Sequence, residues 1–471
     1  MKKKTHLKLI VRTTIISTLL FFTFSCTDSE VVYTNEIPQE IIASLEKAGF
    51  ATEEGLREFR DGYLVETDIY LTRDQIEVLV PNEEGHPTTE QYRTNNLVSG
   101  FRTIRVFMDP DFGNFMQNAF DDALARYNAL NLRLTFVRTL NQNNSDISIE
   151  AFFENSITLG FSAGSPSGGN PARNIGLNTL YYSDVAARPD AATTIAHEIG
   201  HAVGFRHTDF MNRAFSCGVV ELNNDEGDAG VGANHIPNTP VGPEAGSWML
   251  ACSNNTNRPF TNADQIALID TYAGLVINGN TFVCSGNNTF TLTHVPQGGT
   301  VTWQVTPANI LNQNTGNGTT AVLTPASNLV STEATLTFSV VINGVTFNST
   351  KDIWVGKPDV GPDAQFSNDP YGSTGYFCSS HYGNTYSFPD AFEISSHQYR
   401  LKNLSGTVLY TSSIRTGRSG TATYTPPAGW YIFQARATNA CGTSQWIGTE
   451  VEYVDCSIGG GGGDGGEEGE L

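Results

Sequence analysis

The sequence predicts a multidomain chain, with an α/β (α+β) domain over residues 96–277 followed by all-β sandwich modules. Three observations lead there. A length of 471 residues exceeds what one core holds and points to three or four folded units. The middle of the chain switches between apolar period two and period 3.6, the signature of strands and helices sharing one core. From about Asn278 onward, segments rich in Thr, Val, Asn and Gly alternate with no helical period, and a charged fraction of 16% with 46 glycines suits exported β-rich modules.

Residues 1–25 read as an export signal. Lys2, Lys3, Lys4, Lys8 and Arg12 form a basic start, an apolar stretch runs from Thr14 to Phe24, and Ser25-Cys26 closes it. The stretch is too short for a comfortable membrane span, and Cys26 followed by Thr27-Asp28-Ser29-Glu30 resembles a bacterial lipoprotein processing site. Lipid on Cys26 would hold the chain at the bacterial outer membrane or cell surface. Thr23, where leucine is usual, keeps plain secretion open as the alternative.

Within 96–277 the pattern gives strand Ile104–Met108, amphipathic helix Phe115–Leu130 and strands Leu132–Arg138, Asp146–Phe153, Thr158–Ala163 and Ile175–Asn178, with a closing helix at Asn262–Tyr272. Between the last strand and that helix stands His197-Glu198-Ile199-Gly200-His201-Ala202-Val203-Gly204-Phe205-Arg206-His207. Asp190 is the expected cap of a helix whose formers include Ala191, Ala192, Ile195, Ala196, Ile199, Ala202 and Val203. Positions four apart share a helical face, so His197 and His201 can address one cation with Glu198 beside them. Gly204 stops the helix, because glycine takes a left-handed backbone at little cost, and the turn brings His207 back. Three neutral imidazoles are a catalytic Zn²⁺ set that leaves one position for water, whose pKa the metal lowers to about 7, and Glu198 is placed to take the proton.

This string resembles the metzincin metallopeptidases. The literal His-Glu-Ile-Gly-His with the following Gly-Phe-Arg-His-Thr-Asp is most similar to the dual-action HEIGH metallopeptidases, over roughly Asn96 to Gly274. The resemblance implies a metzincin-like zinc peptidase domain with a methionine turn beneath the metal, and Ser247-Trp248-Met249-Leu250 offers Met249 for it. It also implies that Ile157–Ala163 is the edge strand above the cleft, to which an extended protein or peptide substrate adds by main-chain hydrogen bonds. Ala251 stands where astacin-like members carry a tyrosine, so no tyrosine ligand is expected. Asp209 either ties its loop down or is a solvated loop acid, and takes no catalytic role. Residues 26–95 are expected to be a prosegment or an anchoring spacer, helical over Pro38–Ala48 and Thr52–Gly62 with a strand at Tyr63–Leu71. Past Cys26 the segment has no cysteine, which excludes a cysteine switch, and an aspartate switch would fall to Asp61 or Asp68.

Residues 278–356 resemble an immunoglobulin-like or PKD-like sandwich with Trp303 in its core, and 362–456 form a second β-rich module. The aromatics Tyr371, Tyr376, Tyr382, Tyr386, Trp430, Tyr431 and Trp446 either fill that module's core or line a face for glycan or matrix. Residues 457–471, glycine with acids, are expected to be disordered. Setting Cys26 aside leaves six cysteines, and in an oxidising compartment Cys217 and Cys252, which bracket the approach to Met249, are expected to pair. The formal charge is −21, and the five cations of the signal leave −26 for the rest, which excludes nucleic acid as a partner. Asn223–Asp228 is the densest run of hard oxygen donors and the candidate Ca²⁺ loop, although it lacks the EF-hand pattern. The function expected is zinc-dependent endopeptidase action on extracellular peptide bonds. The alternative is a surface adhesin or glycan-binding lipoprotein with a vestigial peptidase unit, against which the intact His and Glu set argues.

Overall fold

The computed structural model describes residues 37–455 except 49, 51, 53–54, 67, 78, 80–90, 219–225, 227–231, 241, 329–330, 359–364, 368–375, 380–383, 388–393 and 418. The export signal, Cys26, the tail at 457–471, Tyr371, Tyr382 and all of the candidate Ca²⁺ loop but Glu226 lie outside the described residues.

An eight-stranded sheet organises the first half of the chain. It contains β1 (Arg57–Phe59), β2 (Gly62–Val65), β3 (Ile69–Thr72), β5 (Arg102–Met108), β6 (Leu134–Thr139), β7 (Ile147–Phe152), β8 (Gly160–Ser162) and β9 (Asn174–Asn178), while β4 (Tyr92–Arg93) pairs with β10 (Asn234–His235). The spatial order is β1-β2-β3-β8-β9-β7-β5-β6. Strands β5, β6, β7 and β9 run parallel, β8 is antiparallel to β9, and β3 joins β8 in parallel. Helices α1 (Gln39–Lys47) and α2 (Arg73–Glu77) flank the β1–β3 meander.

Helix α3 (Asn114–Asn128) buries Met116, Phe120, Ala123, Leu124 and Tyr127, a stripe of helical spacing that faces the core. Helix α4 (Ala191–Val203) is different: every one of its residues is buried. Its small and apolar composition permits that, and it packs on α3, β8 and β9. After the short α5 (Ala214–Cys217), helix α6 (Asn262–Tyr272) opens with a reciprocal capping box between Thr261 and Asp264.

Three sequence expectations are corrected here. The described residues of Thr52–Gly62 are not helical and those of Tyr63–Leu71 are not one strand: the chain forms the β1–β2 hairpin, then leaves β2 at Glu66, whose φ is +54°, and pairs back as β3. Propensity favoured a helix, but Phe59, Leu64 and Tyr70 gain an aromatic cluster with Phe152 and Phe161 only as strands. Asp190 sits at the N-terminus of α4 without capping it, because its carboxylate is engaged by Arg188 and Ser253. The strand within Ile157–Ala163 is β8, and it is no edge, since β3 covers it.

The second half is β throughout. Strands β11 (Val276–Asn278), β13 (Asn288–Thr293) and β16 (Thr320–Leu323) form one sheet of a sandwich. Strands β12 (Phe282–Val283), β14 (Thr300–Thr306), β15 (Thr315–Asn317), β17 (Ser331–Ile342) and β18 (Val345–Gly356) form the other. Strict alternation along β14 buries Val301, Trp303 and Val305. This interior is continuous with that of the first domain, one apolar cluster running from Val98 to Val355. Asn131 Nδ2 donates to Val295 O at 2.9 Å across the junction, and Phe101 meets His294 at 5.1 Å. A further β-rich module follows over Gln365–Val454, with its own core around Tyr386, Tyr399 and Phe433. Trp446 lies between the guanidiniums of Arg400 and Arg436, at 4.4 and 4.5 Å. The disulfide Cys284–Cys441 ties this module to the preceding sandwich.

A chain ending at Val355 and carrying Cys284→Ser should therefore keep its first two folded units. Its thermal midpoint, followed by circular dichroism, is expected within roughly 5 °C of the full-length value, whereas ending the chain at Tyr272 opens the shared core and should lower it much further.

Candidate metal centre

Helix α4 presents His197 and His201 from one face, and Gly204 ends it at φ +109°, with its N–H and that of Phe205 bonded back to His201 O and Gly200 O at 2.9 Å. A side chain at 204 would also press on Leu97 and Thr94 at 3.0 Å. The turn returns His207 to the other two imidazoles, all three buried.

Hydrogen bonds fix the three tautomers. His197 Nδ1 donates to Trp248 O and His201 Nδ1 to Phe205 O, each at 2.9 Å, and a carbonyl can only accept. His207 Nδ1 faces both oxygens of Glu226 at 2.8 and 2.9 Å. With the protons committed outward, the Nε2 lone pairs point inward, 3.0 Å apart for His197 and His201 and 3.1 Å for His201 and His207. Two bare lone pairs repel at that distance. A zinc ion bound at about 2.0–2.1 Å in tetrahedral geometry spaces its nitrogens by roughly 3.3 Å, so a small shift makes the three a ligand set. Burial lowers the pKa of His197 and, more strongly, of His201, where its imidazole neighbours add to it, so both prefer the neutral ligand form. His207 moves the other way: burial would lower it, but the carboxylates of Glu226 and Asp68 outweigh burial.

Asp68 completes the cluster. Its Oδ2 lies 2.9 Å from His207 Nε2 and 3.7 Å from His197 Nε2, and the four ligand atoms fall within 4.8 Å of one another. Its other oxygen and Glu198 Oε2 are buried without a hydrogen-bond partner. Buried, unpaired carboxylate oxygens around three converging lone pairs are the donor set of a cation, and the residues fit zinc. Glu198 Oε1 lies against Gly160 of β8, and burial first, then the charge of Asp68, raises the Glu198 pKa well above the carboxylate range.

Met249 lies under the histidines. Thr208 N–H donates to Met249 O at 2.9 Å, and a Cβ on Gly200 would meet Met249 Sδ at 2.6 Å. Trp248 Nε1 and Tyr127 OH both donate to Ala196 O, the carbonyl just before His197. Asp264 holds the turn through Ser247 Oγ at 2.7 Å and Trp248 N at 3.2 Å. Cys217 and Cys252 form a disulfide, and Ala251 N–H donates to Asp209 Oδ1 at 2.9 Å, so Asp209 ties the third-histidine loop to the methionine turn. Glu226 is the described member of the candidate Ca²⁺ loop, and its carboxylate is taken by His207, by Arg213 at 3.1 Å and by Arg206 at 3.6 Å. No support for calcium follows.

Beside Glu198 and His197 opens a cavity of about 510 Å³, lined also by Thr193, Leu250, Ala251 and Arg258. The Arg258 guanidinium is buried and makes no ion pair among the described residues. Sequence reading missed Arg258, Gly200 and Glu226. Only Gly200 carried a signal, as the residue with no side chain between the two ligands of the helix.

A buried three-histidine centre with an adjacent glutamate, on a helix closed by glycine and floored by methionine, is that of a metallopeptidase. Residues 63–272 match the profile of the dual-action HEIGH metallo-peptidases. No curated protein matches the chain. Among solved structures, myroilysin is similar at 12% identity over 39% of this chain and 98% of its own, with a TM-score of 0.27. The FN1–FN3 domains of chicken CNTN1 align at 13% identity over 37% of this chain and 66% of theirs, with a TM-score of 0.16. A two-domain fibronectin type-III segment of chicken tenascin aligns at 12% identity over 38% and 97%, with a TM-score of 0.18.

Gly200→Ala is expected to invert the usual effect of filling a helical glycine. In an open helix the change stabilises by up to about 1 kcal/mol, but here the methyl strikes Met249 and the overpacking costs about 1–3 kcal/mol. Thermal unfolding should show a lower midpoint, with weaker retention of zinc against a chelator.

Proposed function

We propose that the protein is an exported zinc-dependent endopeptidase that hydrolyses extracellular peptide bonds with Glu198 as general base. The observation that carries this is the convergence of three inward Nε2 lone pairs beside the unpartnered carboxylate of Glu198. His197, His201 and His207 would hold zinc, which would supply Lewis acidity to the scissile carbonyl and to a water beside Glu198. Glu198, made more basic by burial, takes the proton of the attacking water and returns it to the leaving nitrogen. Met249, Trp248 and Glu226 act by holding the imidazoles in place. The adhesin alternative is not favoured, because no member of the ligand set is lost. Two disulfides support an oxidising compartment, and lipid on Cys26 would anchor the chain there.

The cavity beside Glu198 receives a substrate side chain, and Arg258, which makes no ion pair among the described residues, selects an acidic one.

Glu198→Gln tests the general base. The variant should retain one zinc by elemental analysis while kcat for peptide hydrolysis falls about 10²–10⁴-fold, and chelation of the wild type should abolish turnover until zinc returns. Undiminished activity in Glu198→Gln refutes the mechanism. For selectivity, Arg258→Met in active protein should lower kcat/KM roughly tenfold or more for peptides with Asp or Glu beside the cut, leaving neutral peptides nearly unchanged. Parallel losses on acidic and neutral peptides would remove Arg258 from recognition.

A further inference from the structure

We propose that Ile157, with Tyr181 beside it, forms an apolar lip on the cavity next to Glu198 and seats a large apolar side chain of the substrate, one or two residues from the acidic one that the cavity takes. This rests on the metallopeptidase reading above and narrows its substrate class to chains in which an acid and a large apolar residue lie close together.

The first support is where apolar side chains are left in water. Ile157 is 83% exposed and yet lines the cavity of about 510 Å³, so it stands where that cavity opens to solvent. Tyr181 lines the same cavity, and the loop that carries it also exposes Leu180 and Val185, at 37% and 97%. A single exposed apolar residue is ordinary. Several on two touching loops beside a cavity mark a surface that another molecule covers.

The second support is that this exposure is held in place. Asn178 is fully buried, and its Oδ1 accepts from the N–H groups of Glu154 and Leu180, each at 3.1 Å, while its Nδ2 donates to Glu154 O and Thr158 O at 2.8 and 2.9 Å. One side chain thus ties both loops, on both sides of Ile157. Tyr181 OH donates to Ser156 O at 2.8 Å, next to Ile157, and the Arg188 guanidinium lies over the Tyr181 ring at 5.5 Å. Loops fastened in this way keep Ile157 turned outward, and a ligand that covers it meets a surface already ordered.

The third support is the charge around the lip. Glu154 pairs with Arg57 at 2.7 Å, Arg188 with Asp190 at 2.7 Å, and Asp184 accepts from Phe115 N–H at 3.0 Å at the start of α3. With these charges engaged, the lip offers apolar contact, whereas Arg258, buried in the cavity wall, makes no ion pair among the described residues. An apolar mouth therefore adjoins a cationic interior. Successive side chains of an extended peptide point to opposite sides, and every second one returns to the same side roughly 6.8 Å further on. A substrate whose acidic residue enters the cavity beside Glu198 carries a neighbour, one or two positions away, past Ile157. The occupant of the lip is the substrate itself, because Ile157 is part of the wall that also holds Glu198.

The test uses zinc-loaded full-length protein and peptides with a central Glu, in which Leu or Ser stands at each of the positions one or two residues from it. Cleavage is followed as kcat/KM, and binding of the intact peptides to Glu198→Gln by fluorescence anisotropy. Leu at one of these positions should exceed Ser by roughly tenfold or more in both measurements. Ile157→Ser, made in the wild type and in Glu198→Gln, should bring both ratios below about threefold. Ile157→Leu keeps the apolar surface and should retain them, which guards against misfolding as the cause. Ile414→Ser, which removes an exposed isoleucine from the last module, should keep the wild-type ratio. A Leu preference that survives Ile157→Ser, or hydrolysis with no Leu preference in the wild type, overturns the lip and leaves the metallopeptidase reading standing. Failure of the wild type to cleave any peptide overturns that reading and this proposal together.

Discussion

Committing three imidazole protons to outward acceptors is the constraint on which the rest of the structure depends. Trp248 O, Phe205 O and the Glu226 carboxylate each fix one ring, and what remains inward is a triangle of lone pairs with sides of 3.0 and 3.1 Å where pairs are close. In water such nitrogens would be solvated, but here they are buried, and a cation is the partner that fits. The acceptors come from three places: the methionine turn, the glycine turn that ends α4, and a residue far along the loop after it. Each must be held to a fraction of an ångström for the triangle to exist.

That requirement explains features that otherwise look unrelated. Helix α4 is buried on every side, so its ligands cannot sway, and the carbonyl of Ala196, one residue before His197, accepts from both Tyr127 and Trp248. Trp248 thus serves two ligands, through its indole on the helix and its carbonyl on His197. The methionine turn is fastened by the capping carboxylate of α6, by Asp209 and by the Cys217–Cys252 bridge. Gly200 has no side chain because the floor of the centre fills its space. Continuity of the core into the first sandwich braces α6 from behind, since Asn343 reaches Gln265 at 3.3 Å.

How much of this was legible depended on the range of the interaction. The elements of 102–178 follow from local periodicity, and α4 with its glycine stop follows from eleven consecutive residues, so the three imidazoles could be named from sequence and are found together. The pairing of Cys217 with Cys252 was readable because both flank one loop. By contrast, residues 52–71 were misread as helix and single strand. Their conformation is set by partners about 90 residues away, on β8 and in Phe152, which leave no local trace. Glu226 was read as one acid among many in a polar loop, and only the fold turns it toward His207. Asp68 and Asp61 were equivalent in sequence; the register of the β2–β3 hairpin puts the first at the centre and the second against Tyr70.

Charge links these levels. Counted as formal charges among the described residues, five carboxylates are buried around the centre and its cavity, Glu66, Asp68, Glu198, Asp209 and Glu226, against three guanidiniums, Arg206, Arg213 and Arg258. The excess of two negative charges is what one divalent ion cancels, so the assembled chain with metal is locally neutral and the burial is tolerable. Glu66 and Asp68 both lie in the turn between β2 and β3. Without them the same pocket, metal included, carries two positive charges in a low-dielectric site. A neutral centre has little electrostatic reason to hold a carbonyl whose oxygen becomes negative, and a doubly positive one has a strong reason.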